Sequence, residues 1–119
     1  MAKTERKPTK NKTRDKILAS TKLDEMIDEA TVDAHDESEL VMGFYNMFED
    51  SLAVPFQTEV LGVEVMVEQV EMTDDDQLVA VCARGKTRQR VPILDLPLPD
   101  PPPEGAEWID AFRRWKRRS

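Results

Sequence analysis

LDEMIDEATVDAHDESELVMGFYNMFEDSL, residues 23–52, is the stretch on which the fold turns. Between Asp24 and Asp50 it carries ten carboxylates and no lysine or arginine: Asp24, Glu25, Asp28, Glu29, Asp33, Asp36, Glu37, Glu39, Glu49 and Asp50. Its apolar residues recur at helical spacing. Leu23, Met26, Ile27 and Ala30 mark one face of a helix expected over residues 17–30, with Asp24, Glu25, Asp28 and Glu29 on the outer face. Thr21, followed three residues later by Asp24, fits an N-terminal cap close to the capping-box pattern. After a break over residues 31–37, a second helix is expected from near Asp36 to about Leu52. Val41, Phe44, Tyr45, Phe48 and Leu52 follow the i, i+3, i+4, i+7 template and make a wide buried stripe. Gly43 sits inside that helix at a cost of up to about 1 kcal/mol relative to alanine. A glycine kept there lets another element approach closely. Val54 must leave the helix because Pro55 follows it.

Beyond Pro55 the period changes from helical to alternating. Phe56, Thr58 and Val60 alternate with Gln57, Glu59 and Leu61, and Val63, Val65 and Val67 with Glu64, Met66 and Glu68. Gln69 breaks the phase, which predicts a bulge. Residues 73–77 are a turn, and Leu78 to Ala83 is nearly all apolar, as in a central strand. Arg84-Gly85-Lys86 is a hairpin turn. A return strand is expected from Thr87 to Leu94, with Arg88 and Arg90 outward and Val91 and Ile93 inward. Residues 95–104 contain five prolines and should form an extended strap. Trp108, Ile109, Phe112 and Trp115 then form the apolar face of a last helix, with basic residues at its C-terminal end to complement the helix dipole. The expected fold is α+β: two N-terminal helices, a small antiparallel SH3-like barrel of about five strands, and one C-terminal helix.

The 119 residues suit one domain over residues 17–119, preceded by a disordered basic tail over residues 1–16. The net charge of −7 is unevenly spread. Residues 1–16 carry seven basic and two acidic side chains, +5, and residues 113–118 carry five basic and none acidic, another +5. Residues 17–112 hold five basic and twenty-two acidic side chains, −17. Such a body repels phosphates, which argues against a nucleic-acid partner. No apolar run reaches the roughly 20 residues of a membrane span, and no apolar segment within the basic N-terminus resembles a signal peptide. The single cysteine, Cys82, forms no internal disulfide and fits a reducing, cytoplasmic compartment.

The residues offer little for catalysis. One histidine, His35, has no serine or cysteine partner near it in sequence, and Cys82 lies in an apolar strand. GxSxG, Walker A, GxGxxG and HExxH are all absent, so the expectation is that the protein is not an enzyme. Zinc and copper favour cysteine and histidine, of which there is one each. Calcium takes six to eight oxygen ligands, and carboxylates are plentiful. Two carboxylates about 6 Å apart repel by roughly 0.7–3 kcal/mol, depending on the effective dielectric, and a cation between them removes that cost. No EF-hand loop is present. A frame starting at Asp28 places Ala30, Val32 and Asp33 where ligands and the turn glycine belong. The sharpest candidate is VDAHDESE, residues 32–39, with Asp33, Asp36 and Glu37 at i, i+3, i+4 and Glu39 three beyond Asp36. The same residues also suit a metal-free role, with Asp36 as N-cap and Glu39 as its capping-box partner. Glu49 and Asp50 stand in a last helical turn, where acids oppose the dipole. The Asp74-Asp75-Asp76 turn suits a solvated loop.

These motifs, in this order, resemble the bacterial CcbP-like calcium-binding proteins. The resemblance rests on Val32-Asp33-Ala34-His35, Asp36-Glu37-Ser38-Glu39, Gly43-Phe44-Tyr45, Phe48-Glu49-Asp50, Val54-Pro55-Phe56, Val91-Pro92-Ile93 and Trp108-Ile109-Asp110. It spans residues 31–115, with His35 standing for a tyrosine and Val54 for a phenylalanine. It implies a compact α+β domain binding Ca2+ through surface acids without an EF-hand, with Asp33, Asp36, Glu37, Glu39, Glu49 and Asp50 as the acidic set. A different class stays open: a small barrel acting as a metal-independent protein-interaction module, carried by the strand pattern, the proline strap and the basic ends.

Overall fold

The computed structural model describes residues 19–118, so the expected basic tail of residues 1–16 lies outside the described residues. The first helix, α1, is present over residues 19–30. It is already helical before Thr21, so Thr21 is not its N-cap. Met26, Ile27 and Ala30 are buried, as their spacing requires. The helix closes where the Thr31 amide and hydroxyl both donate to the Ile27 carbonyl, at 3.0 and 2.7 Å.

Helix α2 spans Glu37–Ser51 and begins on Asp36, which adopts an extended conformation and accepts the Glu39 amide on its side chain at 2.9 Å. Glu39 reaches back to the amide of His35 at 2.6 Å. This is a capping box displaced by one residue, since the usual target is the cap's own amide. Val41, Phe44 and Phe48 are buried beneath it. At Gly43 a methyl group would overlap the carbonyl oxygen of Ala30. The glycine is therefore the seat on which the end of α1 rests.

The strands are β1 (Phe56–Val60), β2 (Val63–Met72), β3 (Leu78–Arg84) and β4 (Thr87–Pro92), paired antiparallel in the order β1-β2-β3-β4. The register of β2 on β3 shifts between Val67 and Gln69, so the bulge falls at Glu68, one residue earlier than the broken alternation implies. Gly85, at φ 59°, supplies the left-handed backbone of the β3–β4 turn.

The expected SH3-like barrel of five strands does not form; the sheet is an open meander of four. The reason lies at Pro92. It has no amide to continue the ladder, and Ile93–Asp95 turns into a short 3₁₀ helix instead of extending the return strand to Leu94. Ile93 is fully buried all the same, which is why it reads as an inward strand residue. The prolines that follow lack the donors a fifth strand would need. They run as a strap alongside β1, where Thr58 Oγ1 donates to the Pro97 carbonyl at 2.7 Å.

Helix α3, Glu107–Arg118, lies with α2 over one face of the sheet. Phe44 and Phe48 of α2 meet Phe112 edge-on at centroid distances of 5.2 and 6.2 Å, and Trp115 lies 5.3 Å from Phe44. Phe56, Val67, Val70, Leu78, Ala80 and Cys82 supply the sheet side of this core. Arg113 ties the 3₁₀ turn to α3, donating to the carbonyls of Ile93 at 2.8 Å and Leu96 at 2.5 Å. The opposite face has no helix over it among the described residues. Two ion pairs cross it, Arg88–Glu68 and Arg90–Glu71, both at 2.8 Å. Each reaches from β4 over the intervening β3 to β2, and Val79, Val81 and Ala83 of that central strand are buried.

Candidate cation-binding site

Four of the six acids named from the sequence follow one another along the chain at the front of α2. Asp33 ends the turn after α1 in a left-handed conformation, φ 62°, which aspartate tolerates better than most residues. Asp36, Glu37 and Glu39 follow within the cap and first turn, and all four are exposed. Their negative charge sits at the positive end of the helix dipole.

The fold adds a fifth acid that spacing does not reveal. Thr73 holds the β2–β3 turn closed, accepting the Asp76 amide on its carbonyl at 3.0 Å and the Gln77 amide on its hydroxyl at 3.1 Å. Asp76 is thereby set at φ 62°, and its Oδ1 accepts the Ser38 hydroxyl at 3.1 Å. The acidic turn thus abuts the acidic front of α2. A contact across 38 residues leaves no local signature in sequence. Lys116, from the end of α3, stands 3.8 Å from Glu37 and supplies a nearby positive charge.

Glu49 and Asp50 lie elsewhere. Thirteen residues of helix separate Asp36 from Glu49, about 20 Å along the axis. Glu49 sits beside Tyr45, whose hydroxyl is pushed above its ordinary pKa by burial first, then by the charge of Glu49 and a hydrogen bond to it, and by Glu71. The six acids therefore occupy two ends of one helix. Among the described residues, no three His, Cys, Asp or Glu side chains converge closely enough to hold a metal ion. The donor chemistry suits a hard cation, while the arrangement does not present a finished cage.

The basic end of α3 is largely engaged inside the molecule. Arg114 forks onto Asp24 of α1 at 2.8 and 3.4 Å, and Arg118 adds a contact of 2.8 Å to the same carboxylate. The Arg114 hydrogen bond, with the charges of both arginines, holds Asp24 below the ordinary carboxylate range. Arg113 is committed to the two carbonyls beneath it. These bonds leave few cations on α3 to offer a polyanion. Cys82 is buried, and burial raises its thiol pKa, as fits packing more than reactivity.

No protein-family model matches the sequence, and no curated protein matches it. Among solved structures, the fold is similar to that of a calcium binding protein in its calcium-binding form. The two superpose with a TM-score of 0.65 at 23% identity, over 82% of this chain and 90% of the other. At that identity the likeness establishes a shared fold.

Proposed function

We propose that this protein binds Ca2+ and acts by holding or buffering the ion, without an EF-hand and without catalysing a reaction. The observation that carries the reading is the shared fold with a solved calcium binding protein, on a chain whose body carries a large carboxylate excess. Kinship with the CcbP-like proteins is part of the same proposal, as is a cytoplasmic location. Asp33, Asp36, Glu37 and Glu39 are the first candidates, with Asp76 beside them; Glu49 and Asp50 belong to a separate region. Because Asp36 and Glu39 already serve backbone amides, binding has to draw neighbouring carboxylates inward. That rearrangement costs free energy and points to modest affinity. No helix among the described residues is long and apolar enough to cross a membrane.

Calorimetric titration with Ca2+ and a Mg2+ control tests this. Saturation in the millimolar range or below is expected, with a stability gain of about 2.7 kcal/mol at 100 times the dissociation constant. Asp33→Asn with Glu37→Gln should weaken the response at least about tenfold, roughly 1.4 kcal/mol. Glu49→Gln with Asp50→Asn should leave most of it. Absence of heat and of thermal shift at millimolar Ca2+ would refute the reading.

A metal-independent interaction module is the second reading. It is favoured by one observation: among the described residues, a largely apolar groove lined by Val60, Val63, Val65 and Val91 stays open at one end of the sheet.

A further inference from the structure

The cations of α3 are not held alike. Arg113 is fixed on the carbonyls of Ile93 and Leu96, and Arg114 and Arg118 are fixed on Asp24. Lys116 reaches the acidic front of α2 instead. Among the described residues it makes the one ion pair to that front, with Nζ 3.8 Å from Oε2 of Glu37. It also lines a cleft of about 280 Å³ between the β2–β3 turn, the 3₁₀ turn and α3, together with Asp76 and Asp95. Asp76 is the acid that the Ser38 hydroxyl joins to the front. Lys116 thus adjoins two members of the acidic set, Glu37 through the ion pair and Asp76 through the cleft.

The pair with Glu37 is loosely held. Its length exceeds hydrogen-bond reach, and both side chains are partly exposed, a setting in which an ion pair is weak. Arg114 differs, since it forks onto Asp24 with two contacts. The Lys116 ammonium has a second place to rest, 5.7 Å from the centroid of the Trp115 ring. It can therefore leave Glu37 without being stranded, and Glu37 is then free to turn toward an incoming ion.

We infer that Lys116 is a tethered competitor for the cation: it neutralises the front of α2 in the ion-free protein and is displaced from Glu37 when Ca2+ binds. The inference rests on the calcium-binding reading proposed above and adds its regulation. A divalent ion brings twice the charge of an ammonium and several direct oxygen contacts, so it wins once its concentration is high enough. Below that concentration the ammonium keeps its place. Whatever stability it gives the ion-free fold is subtracted from the apparent affinity of the ion, because the two exclude each other at Glu37. Lys116 thereby raises the calcium level at which the site fills.

Calorimetric titration of the full chain with Ca2+ is the experiment, comparing the parent with Lys116→Met, Lys116→Arg and Lys86→Met. Methionine keeps an apolar stem and removes the charge. Lys86 lies in the β3–β4 turn, at the opposite end of β3 from Asp76, so its replacement removes the same charge far from the front. Lys116→Met should lower the dissociation constant at least about threefold. Lys116→Arg and Lys86→Met should stay near the parent value. In thermal melts at low salt without Ca2+, Lys116→Met should melt below the parent, and the gap should narrow as Ca2+ saturates the site. Affinity unchanged or weakened by Lys116→Met overturns the inference and leaves the calcium-binding reading standing. So does an equal tightening by Lys86→Met, which would assign the effect to net charge. A parent protein that binds no Ca2+ brings down the calcium-binding reading itself, and this inference with it, so the two failures are told apart by the parent titration alone.

Discussion

Gly43 carries a test in which two simple rules give opposite signs. In an exposed helix, replacing glycine by alanine stabilises by up to about 1 kcal/mol. Here the added methyl group meets the carbonyl of Ala30, and that carbonyl belongs to backbone that cannot swing aside. Gly43→Ala is therefore expected to destabilise by roughly 1–3 kcal/mol in urea denaturation, as overpacking does. A stabilised variant would mean that α1 does not rest on α2 at this point. Gly105 works in the same way. It has φ 87°, and a methyl group there would strike the backbone of Ser51 and Leu52. At this scale much was legible. A glycine in the middle of a periodic apolar stripe announces a close approach, and an aspartate three residues before a glutamate announces a helix start. The partner in each contact was not legible. Nothing local to Gly43 names Ala30, and nothing local to Ser38 names Asp76.

Between elements, α1 is tied to α3 by Asp24 with Arg114 and Arg118. The bound carboxylate titrates below its ordinary range, so the contribution is present above the unfolded-state pKa and disappears as pH falls through the lower folded-state value. Asp24→Asn should lower the melting temperature at pH 7, with the gap to the parent protein narrowing steadily in acid. The same gap should shrink in high salt, because the carboxylate and both arginines are partly exposed. A difference indifferent to pH would assign the effect to packing alone. The sequence supplied the basic residues of α3, and the dipole explained them adequately. Their partner lies 90 residues earlier, so the clamp was invisible until the chain folded. The sheet shows a related limit. Alternation ending on Ile93 mimics a strand, because a buried 3₁₀ turn and a strand both want an apolar residue there. Proline at position 92 and the five in the strap were the signal that closure would fail.

At the scale of the whole molecule, the body between the basic ends works against itself electrostatically. Raising sodium chloride from about 10 mM to about 500 mM shortens the Debye length from roughly 30 Å to below 10 Å and should stabilise the fold by relieving like-charge repulsion. Calcium at millimolar level should add an increment that saturates and that sodium at matched ionic strength does not reproduce. If sodium reproduces it in full, the acids form a diffuse field and no site. The exterior of the sheet obeys another logic. Among the described residues no helix lies over Val79, Val81 and Ala83, which are nonetheless buried, and Arg88 and Arg90, paired with Glu68 and Glu71, cross that strand above them. The aliphatic stems of two arginines thus help keep water from the back of the sheet. Its colloidal behaviour is hostage to them, since trimming both would bare a strip of hydrocarbon and turn an inert wall into an adhesive one.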